Sequence, residues 1–338
     1  MVTICEANCE RPHNENCRRA SIKFTTDTGQ KYTYVFKRLS KCYNLFIMEN
    51  ENISYRRTLK NRKRVVVKVG SSSLLHAETK ELDYRRIDHL ARELTDIKNA
   101  GRDVILVSSG ATAVGRGVMH VDKEIMKADG PITVKQACAA VGQARLMMIY
   151  QKFFEQYNQI TAQVLMTKNT VTDPLSKYHL FNTFTELLKL GVIPIVNEND
   201  SIATYEYSVG DNDNLSAIVS SLMGADLLIL LSDVAGLYTD DPRENKKAKF
   251  IEYVDRIDDE LMKMGKEDTG SDVGTGGMSS KLTAARVATS SGCDMIITDS
   301  SDLHVLEKIM DGENVGTLFR QNKDDGFDLI EHLIESEV

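Results

Sequence analysis

The chain has 338 residues, of which 42% are hydrophobic and 27% are charged, a balance typical of a globular protein with a well-buried core. Its formal net charge of -7 argues against a general nucleic-acid binder. No stretch approaches the roughly eighteen consecutive apolar residues that a membrane helix needs, so no membrane association is expected.

Two further features bear on where the protein works. The first twenty residues are polar, so no secretory signal is expected. The 6 cysteines are scattered over a long chain, which favours a reduced compartment over a disulfide framework. We therefore expect a cytoplasmic protein.

The N-terminal segment differs in charge from the rest. Residues 1–64 hold 14 of the 42 basic residues but 6 of the 49 acidic ones, so a basic extension precedes an acidic body. The alternating pattern of SIKFTTDTGQKYTYVF favours a small β-hairpin, with disorder as the alternative. The stretch ENENISYRRTLKNRKR is interpreted as a charged linker. We assign residues 1–63 to this extension.

The first seventeen residues also contain cysteine and histidine at every fourth position, which could indicate a metal site. Zinc sites usually space paired ligands more closely than every fourth residue, and a proline within the stretch disfavours one continuous helix. A disordered tail is the preferred interpretation, and zinc the alternative. The candidate ligands of that alternative are Cys5, Cys9, His13 and Cys17.

From Arg64 onward, strand and helix patterns alternate. RVVVKVG is typical of a buried strand, and DYRRIDHLARELTDIKNAG of an amphipathic helix that ends at a glycine. Further strands are predicted, with helices between them, at DVILVSSG, ITAQVLM, VIPIVN, DLLILLSD, DMIIT and VGTLF. This alternation predicts an α/β fold with a mostly parallel sheet covered by helices on both faces.

Glycine-rich turns follow several of these strands or open a helix. Glycine beside Ser or Thr lets backbone N–H groups face an anion, and a helix N-terminus adds positive charge. Each turn alone is more often only a turn, but three of them, each followed by a helix, favour phosphate binding. The sequence lacks the P-loop and protein-kinase motifs. The three candidate cradles lie in KVGSSSL, SSGATAVGRG and GTGGMSSK.

Two lysines accompany these turns. Lys68 interrupts the apolar strand VVVKVG, where a charge is costly unless it meets a partner, and Lys281 closes the last glycine loop. The alternative is that each lysine extends to the surface and has no further role. Two ammonium groups over cradled phosphates are what phosphoryl transfer needs, because the charge of the transferred group must be neutralised.

An acidic stretch, NENDSIATYEYSVGDNDN, lies between the strand GVIPIV and the helix LSAIVSSLMGAD. A polar surface loop is the simple interpretation, and the order of acids does not fit a calcium loop. A loop between a strand and a helix is, however, where α/β proteins place ligands.

Taken together, these segments resemble the glutamate 5-kinases of the amino-acid kinase superfamily, in order from about Arg64 to Phe319. The matching motifs are VVVKVGSSSL, ILVSSGATAVG, QACAAVGQARLM, IPIVNENDSIAT, VGDNDNLSA, LLSDVAGLYTDDPR, GTGGMSSKL and VGTLF. The resemblance implies an αβα three-layer sandwich over residues 64–320, followed by a C-terminal helix or tail at 321–338. It also implies ATP- and Mg²⁺-dependent phosphorylation of the γ-carboxylate of L-glutamate to L-glutamyl 5-phosphate, the first step of proline biosynthesis.

The resemblance also implies roles for individual residues. Lys68 and Lys281 would neutralise charge in the transition state, and Asp213 would orient them. The glutamate-binding residues would be Ser109, Gly110, Asn197, Asp200 and Asn212. The nucleotide-binding residues would be Lys68, Gly70, Ser232, Asp233, Thr275, Gly276, Gly277, Met278, Ser279, Ser280 and Lys281. No protein ligand to the metal is assigned.

Several points stay open at this stage. Only 19 residues follow Phe319, so the C-terminal PUA-like domain of many bacterial relatives is not expected. The alternatives are the kinase part of a bifunctional pyrroline-5-carboxylate synthase, an amino-acid kinase with another acceptor, and a catalytically silent amino-acid-binding regulator. The helix from Val134 to Tyr157 is apolar nearly all round, and the resemblance implies a homo-oligomer, a dimer or tetramer. Proline is the expected feedback inhibitor.

Overall fold

The computed structural model describes residues 3–9, 20–25, 31–36, 51–79, 81–122, 124–126, 130–203, 211–242, 245–264 and 277–335. The chain divides into two compact units, Met1–Arg57 and Thr58–Val338. The assignment of residues 1–63, 64–320 and 321–338 to separate regions stays a prediction. The zinc hypothesis falls outside the residues whose side chains are described.

The first unit contains a small antiparallel sheet. Its three strands are β1 (Thr3–Cys9), β2 (Ala20–Thr25) and β3 (Lys31–Phe36), in the order β1-β2-β3. Strands β2 and β3 cover the two alternating halves of SIKFTTDTGQKYTYVF and pair antiparallel, with Ile22 opposite Tyr34. Period-two alternation therefore corresponds to paired strands here, as it does in β-sheets generally.

The interpretation of ENENISYRRTLKNRKR as a linker is wrong for much of its length. Residues 51–56 form a helical segment, α1, and Leu59–Asn61 form a 3₁₀ turn. Within α1, Nε of Arg56 donates to Oδ1 of Asn52 at 2.8 Å, one helical turn away. Leu59 is fully buried. Local side-chain pairing and one buried leucine order a stretch whose charge suggested an open chain.

The second unit contains one large sheet and its covering helices. The strands are β4 (Arg64–Val69), β5 (Asp103–Ser108), β6 (Thr161–Met166), β7 (Ile193–Glu198), β8 (Leu227–Ser232), β9 (Leu237–Tyr238), β10 (Phe250–Ile251), β11 (Tyr253–Val254), β12 (Asp294–Asp299) and β13 (Thr317–Phe319). The helices are α2 (Ser71–Leu74), α3 (Tyr84–Asn99), α4 (Ala111–Val118), α5 (Ile132–Gln156), α6 (Lys168–Thr172), α7 (Pro174–Lys189), α8 (Asn212–Met223), α9 (Asp259–Met264), α10 (Met278–Ser290), α11 (Val305–Met310) and α12 (Leu329–Glu335).

The sheet is mostly parallel, as the alternating pattern predicts. Its eight strands lie in the order β11-β13-β12-β8-β4-β5-β7-β6. All pairs are parallel except β12 with β13. Strand β13 is short and lies next to the edge strand β11. Antiparallel pairing near the edge of an otherwise parallel sheet is common in such folds.

Helices cover both faces of this sheet. Val66 and Ile105 join the core formed with helices α7, α8 and α10. Val65 and Val67 are equally buried, and strand alternation turns them to the opposite face, where α3 contacts both α5 and α11. Each such buried side chain contributes about 1.5–3 kcal/mol to the free energy of unfolding. The three-layer αβα prediction is confirmed.

Helices α4 and α5 cross in backbone contact. A Cβ atom on Gly115 of α4 would lie 1.8 Å from the carbonyl oxygen of Cys138, and one on Gly142 of α5 would lie 1.8 Å from that of Ala111. Any side chain at either position would push the helices apart. These two glycines therefore fix the position of α4, which begins directly after the turn that follows β5.

Several short elements are absent from the sequence-based prediction. The glycine turn of SSGATAVGRG is a turn only up to Gly110, which has a φ of +107°, and becomes helix α4 from Ala111. Helices α2, α6 and α9 and the β9–β10 pair were also not predicted. All are too short to show a period. In the described part of the chain, no helix has the length and apolarity needed to cross a bilayer.

Candidate active site

The carboxyl ends of the central parallel strands lie at one edge of the sheet. Strand β4 pairs with β5 and β8, and β5 pairs with β7, all in parallel register. Gly70 follows β4, Ser109 and Gly110 follow β5, Asp200 follows β7, and Ser232 ends β8. The fold therefore gathers side chains from four distant segments at the edge where α/β proteins bind ligands.

Lys68 is a partly buried cation at this edge. It is the fifth residue of β4 and lies in register with Val107 of β5 and Leu230 of β8. Its side chain is 12% exposed, and its Nζ lies 2.5 Å from Oδ1 of Asp213. The side chain thus ends at a carboxylate within the protein and does not extend along the surface.

Lys281 reaches the same carboxylate from the other side. It lies in the first turn of α10, whose N-cap is Gly277. Its side chain is 8% exposed, and its Nζ lies 3.2 Å from Oδ2 of Asp213. Each oxygen of this one carboxylate therefore faces a different ammonium group.

Asp213 is held in place by the start of α8. Asp211 caps the helix, accepting a hydrogen bond at Oδ1 from the backbone N–H of Asn214 at 3.0 Å. This cap sets the first helical turn and turns Asp213 inward, where it is only 1% exposed. A helix N-terminus also favours a negative side chain in its first turn.

The ionisation of Asp213 is fixed by its surroundings. Burial raises the pKa of the carboxyl group, but the positive charges of Lys68 and Lys281 outweigh burial and hold the pKa below its ordinary value. The carboxylate is therefore ionised at neutral pH. The three groups together carry an excess of positive charge, which suits them to an anionic ligand.

Neutral polar groups form a second network beside the lysines. Nδ2 of Asn212 donates to Oγ of Ser109 at 2.6 Å and to Oδ1 of Asn197 at 3.1 Å. Nδ2 of Asn197 donates in turn to Oε1 of Gln143 at 3.0 Å. Three of the predicted substrate-binding residues thus lie in direct contact with one another.

Two further carboxylates flank this network. Burial raises the pKa of Asp200, although a hydrogen bond from Thr112 at the start of α4 opposes this rise. Burial and the negative charge of Asp213 raise the pKa of Asp211, although hydrogen bonds from Ser280 and Asn214 and the positive charge of Lys68 oppose this rise. Oδ2 of Asp211 is buried and has no hydrogen-bond partner among the described residues. Both carboxylates would be stabilised by a cation, which suits them to a charged ligand.

The predicted nucleotide-binding residues are less closely grouped. Oγ of Ser232 donates to Oδ1 of Asp233 at 3.1 Å, and this pair has no direct bond to the lysine cluster among the contacts of the described residues. The helix start from Gly277 to Ser280 is described, whereas Thr275 and Gly276 lie outside the described residues. A Cβ on Gly70 would lie 3.6 Å from Nζ of Lys68, so its backbone runs close to that ammonium group.

Two residues of the site were missed in the sequence. Gln143 stands in the helix α5, which the sequence assigned to packing and assembly, and no local signal separates it from its neighbours. Asp211 had a usable signal, because an acid just before a helix that continues for three turns is typical of an N-cap. Both residues reach the site only because the fold brings α5 and the start of α8 together, and their local sequence does not show this.

Comparison with known proteins agrees with this geometry. The sequence profile of the amino acid kinase family matches residues 63–299. The chain belongs to the amino acid kinase family.

Proteins of higher sequence identity indicate which branch of the amino acid kinase family the chain resembles. A protein named glutamate 5-kinase from Clostridium perfringens is 47% identical over 274 residues, spanning 79% of this chain and 99% of its own length. Another of that name, from Carboxydothermus hydrogenoformans, is 46% identical over 79% of this chain and 70% of its own length. The chain thus matches glutamate 5-kinases over most of its second unit.

Solved structures support the fold alone. A UMP kinase from Bacillus anthracis aligns with a TM-score of 0.55 and 19% identity, over 77% of this chain and 97% of its own. A carbamate kinase from Giardia lamblia, bound to AMP-PNP, aligns with a TM-score of 0.57 and 16% identity, over 78% and 100% of the two chains. At these identities the shared feature is the three-layer architecture.

Proposed function

We propose that this protein transfers the γ-phosphoryl group of ATP to the γ-carboxylate of L-glutamate, giving L-glutamyl 5-phosphate, the first step of proline biosynthesis. The relatives named glutamate 5-kinase support the choice of acceptor. The observation that carries the chemistry is the pair of ammonium groups, Lys68 and Lys281, on the two oxygens of buried Asp213.

The lysine cluster fits phosphoryl transfer. The moving phosphoryl group carries negative charge on its equatorial oxygens, and catalysis consists mainly of positioning the reactants and neutralising that charge. Lys68 and Lys281 supply the positive charge, and Asp213 keeps the two ammonium groups together against their mutual repulsion. Because they are buried, their attraction for phosphate is less screened than it would be in water.

The acceptor needs no general base. A γ-carboxylate is ionised at neutral pH, since the ordinary pKa of a glutamate side chain is about 4.3. The enzyme has only to hold the amino acid and direct one γ-oxygen in line with the phosphorus. The neutral network suits this task, because the amides of Asn212 and Asn197 and the hydroxyl of Ser109 can donate to the substrate α-carboxylate.

The substrate ammonium group is assigned to Asp200. This carboxylate lies just after β7, and burial raises its pKa, with a hydrogen bond from Thr112 as the opposing influence among the described residues. A substrate ammonium would provide that partner and would favour the ionised form. The backbone N–H of Gly110, at the start of α4, is assigned to the same pocket.

ATP is assigned to the helix start at Gly277 to Lys281 and to the turn at Gly70. Mg²⁺ normally travels with the nucleotide, bound through phosphate oxygens and one or two carboxylates. Asp211 fits this role, since its buried Oδ2 lacks a hydrogen-bond partner among the described residues. When bound, the ion neutralises charge on the β- and γ-phosphates.

A hydroxylamine-trapping assay tests the proposal. With ATP, Mg²⁺ and L-glutamate, the trapped acyl phosphate should appear as a hydroxamate in step with ADP release. L-aspartate, N-acetyl-L-glutamate, carbamate and UMP should give little product. Hydroxamate with L-aspartate or N-acetyl-L-glutamate, or ADP release with carbamate or UMP, would favour a kinase of the same family with a different acceptor. Tight amino-acid binding without any ADP release would favour the silent regulator.

Several finer properties belong to the same proposal. Proline should inhibit by competing with glutamate for the pocket between α4 and the start of α8, and inhibition that glutamate cannot relieve would contradict this.

Light scattering at micromolar concentration should give a dimer or tetramer. A cytoplasmic location also stays a prediction, as does the alternative that the chain is the kinase part of a bifunctional synthase.

A further inference from the structure

A cluster of metal-ligating side chains lies outside the proposed active site. His89 and Glu93 stand one turn apart on α3, and His304 precedes α11. Nε2 of His89 and Nδ1 of His304 each lie 3.1 Å from Oε1 of Glu93. The two imidazole rings meet edge to face, with centroids 4.4 Å apart. Two imidazoles and one carboxylate therefore converge on one point.

The separations suit a small metal ion. The three donor atoms all lie within 4.8 Å of one another, and this is the one such group among the residues that the structure describes. With metal–ligand bonds of about 2.0–2.1 Å, tetrahedral coordination places its donors roughly 3.3 Å apart. The two imidazole–carboxylate separations of 3.1 Å already lie near this value, and the two imidazole nitrogens would have to approach each other by at most about 1.5 Å, which side-chain rotation can supply. The residues at i and i+4 on α3 already share a face.

The donor set selects the class of metal. Imidazole nitrogens favour Zn²⁺ and its neighbours in the first transition series, whereas Mg²⁺ and Ca²⁺ prefer oxygen ligands. We propose that His89, Glu93 and His304 form a zinc-type site that joins α3 to the segment between β12 and α11. This site is separate from the Mg²⁺ that accompanies ATP.

Burial leaves one side of the cluster accessible. The Glu93 side chain is only 7% exposed, while those of His89 and His304 are 31% and 51% exposed. The carboxylate thus forms the floor of the site and the imidazoles form its rim. Zinc can enter from solvent and take water as its fourth ligand, as it does in open sites with three protein ligands.

The position of the cluster gives the site a structural role. On the same helix, Arg86 donates through Nε to the carbonyl oxygen of Ser73 and through Nη2 to that of Ser300. Hydroxyls of Ser73 and Ser300 lie 2.7 Å apart. These bonds already connect α3 to the segments after β4 and β12. A metal at Glu93, about 10 Å further along the helix, would strengthen the contact that Glu93 already makes with His304 and so reinforce a second connection to the same segment.

Direct zinc binding is the first test. Untagged full-length protein, stripped with chelator, is dialysed against Zn²⁺ and its bound metal measured. Wild type and His179→Ala, a control at an exposed histidine of α7, should hold about one zinc per chain more than His304→Ala, since loss of one of three ligands should weaken binding at least about 100-fold. Equal zinc in wild type and His304→Ala would overturn the proposal. Taking the difference between variants removes any zinc bound by the N-terminal cysteines.

A second variant separates metal binding from simple hydrogen bonding. Glu93→Gln keeps an oxygen that can accept from both imidazoles but lacks the charge a metal favours. In chelator, its Tm should lie near that of wild type, which also shows that it folds. Saturating Zn²⁺ should raise the Tm of wild type by about 3 °C or more and leave Glu93→Gln unchanged. Zinc that raises both Tm values equally, or neither, would show that the three residues only form hydrogen bonds.

Discussion

Asn212 and Asp213 are consecutive residues of α8, yet they belong to two different kinds of environment. Asp213 is ion-paired to two lysines, whereas Asn212 donates hydrogen bonds to neutral oxygens of Ser109 and Asn197. Two adjacent positions in the first turn of α8 thus face a charged half of the site and an uncharged half. The charged half suits a phosphoryl group, whose negative charge must be neutralised during transfer. The neutral half suits a substrate that has only to be bound and oriented.

Both halves of the site require strict geometry, but for different physical reasons. Ion pairs in the interior have strict geometry, because an unpaired buried charge is costly. Amide networks have strict geometry because each donor left without a partner costs desolvation energy. The two halves should nevertheless respond differently to substitution. Changes in the charged half should affect stability and turnover, and changes in the neutral half should affect mainly substrate affinity.

Removing the shared carboxylate should have the largest effect. Asp213→Asn removes the carboxylate that both ammonium groups share, so the free energy of unfolding should fall by roughly 3–5 kcal/mol. Urea unfolding of the ligand-free protein measures this. Asp255→Asn, which removes a surface partner of Arg320, is the control and should cost at most about 1 kcal/mol. Equal losses for the two variants would contradict the distinction between buried and exposed pairs.

The pH dependence of stability follows from the same pair. Because the pKa of Asp213 is lowered in the folded state, its stabilising contribution is complete above the unfolded pKa and is lost as the pH falls through the folded value. The wild-type curve should therefore decline in acid more steeply than that of Asp213→Asn. Parallel curves for the two proteins would argue against a lowered pKa.

Lys281→Ala should reduce turnover strongly without abolishing binding of glutamate. Loss of one charge-stabilising group typically lowers kcat by about 10²- to 10³-fold. Steady-state ADP release checks this, with Lys189→Ala on the exposed surface of α7 as the control. A kcat within a factor of about 3 of wild type would remove Lys281 from the phosphoryl-transfer step.

Asp200→Asn should separate affinity from stability. Loss of a charged partner for the substrate ammonium should raise KM for glutamate by about 10- to 100-fold. Because burial raises the pKa of Asp200, ionised Asp200 destabilises the ligand-free protein at neutral pH, and the substitution should raise its Tm. The KM for glutamate in wild type should also rise as the pH falls through this raised pKa. A lowered Tm with unchanged KM would assign Asp200 a purely structural role.

The smallest effect is expected in the neutral half. Asn212→Ala removes two donated hydrogen bonds and should raise KM for glutamate roughly 10-fold, with kcat changed by less than about 3-fold. Gln151→Ala, on the exposed face of α5, should leave both constants unchanged. If Asn212→Ala lowers kcat as strongly as Lys281→Ala does, the division into two halves is wrong.

The sequence predicted the regular part of the fold well. Apolar runs such as LLILL, with all five residues fully buried in β8, are typical of central strands, because a parallel sheet covered on both faces has no solvated side. Short elements such as α2 and α9 were missed, since four to six residues contain fewer than two helical turns and the hydrophobic pattern cannot repeat. The linker interpretation failed because the contact of Arg56 with Asn52 has no signature in composition.

The sequence by itself determined which chemical groups are available and in which segments they lie. A lysine inside the apolar strand VVVKVG is costly unless it meets a partner, so the need for a counter-charge was readable from the residues. Which carboxylate would serve was decided only by the tertiary structure, since Lys68, Asp213 and Lys281 come from three segments far apart in the chain. The same holds for His89, Glu93 and His304, because the i, i+4 pair is local while the third ligand arrives through packing of α3 against α11.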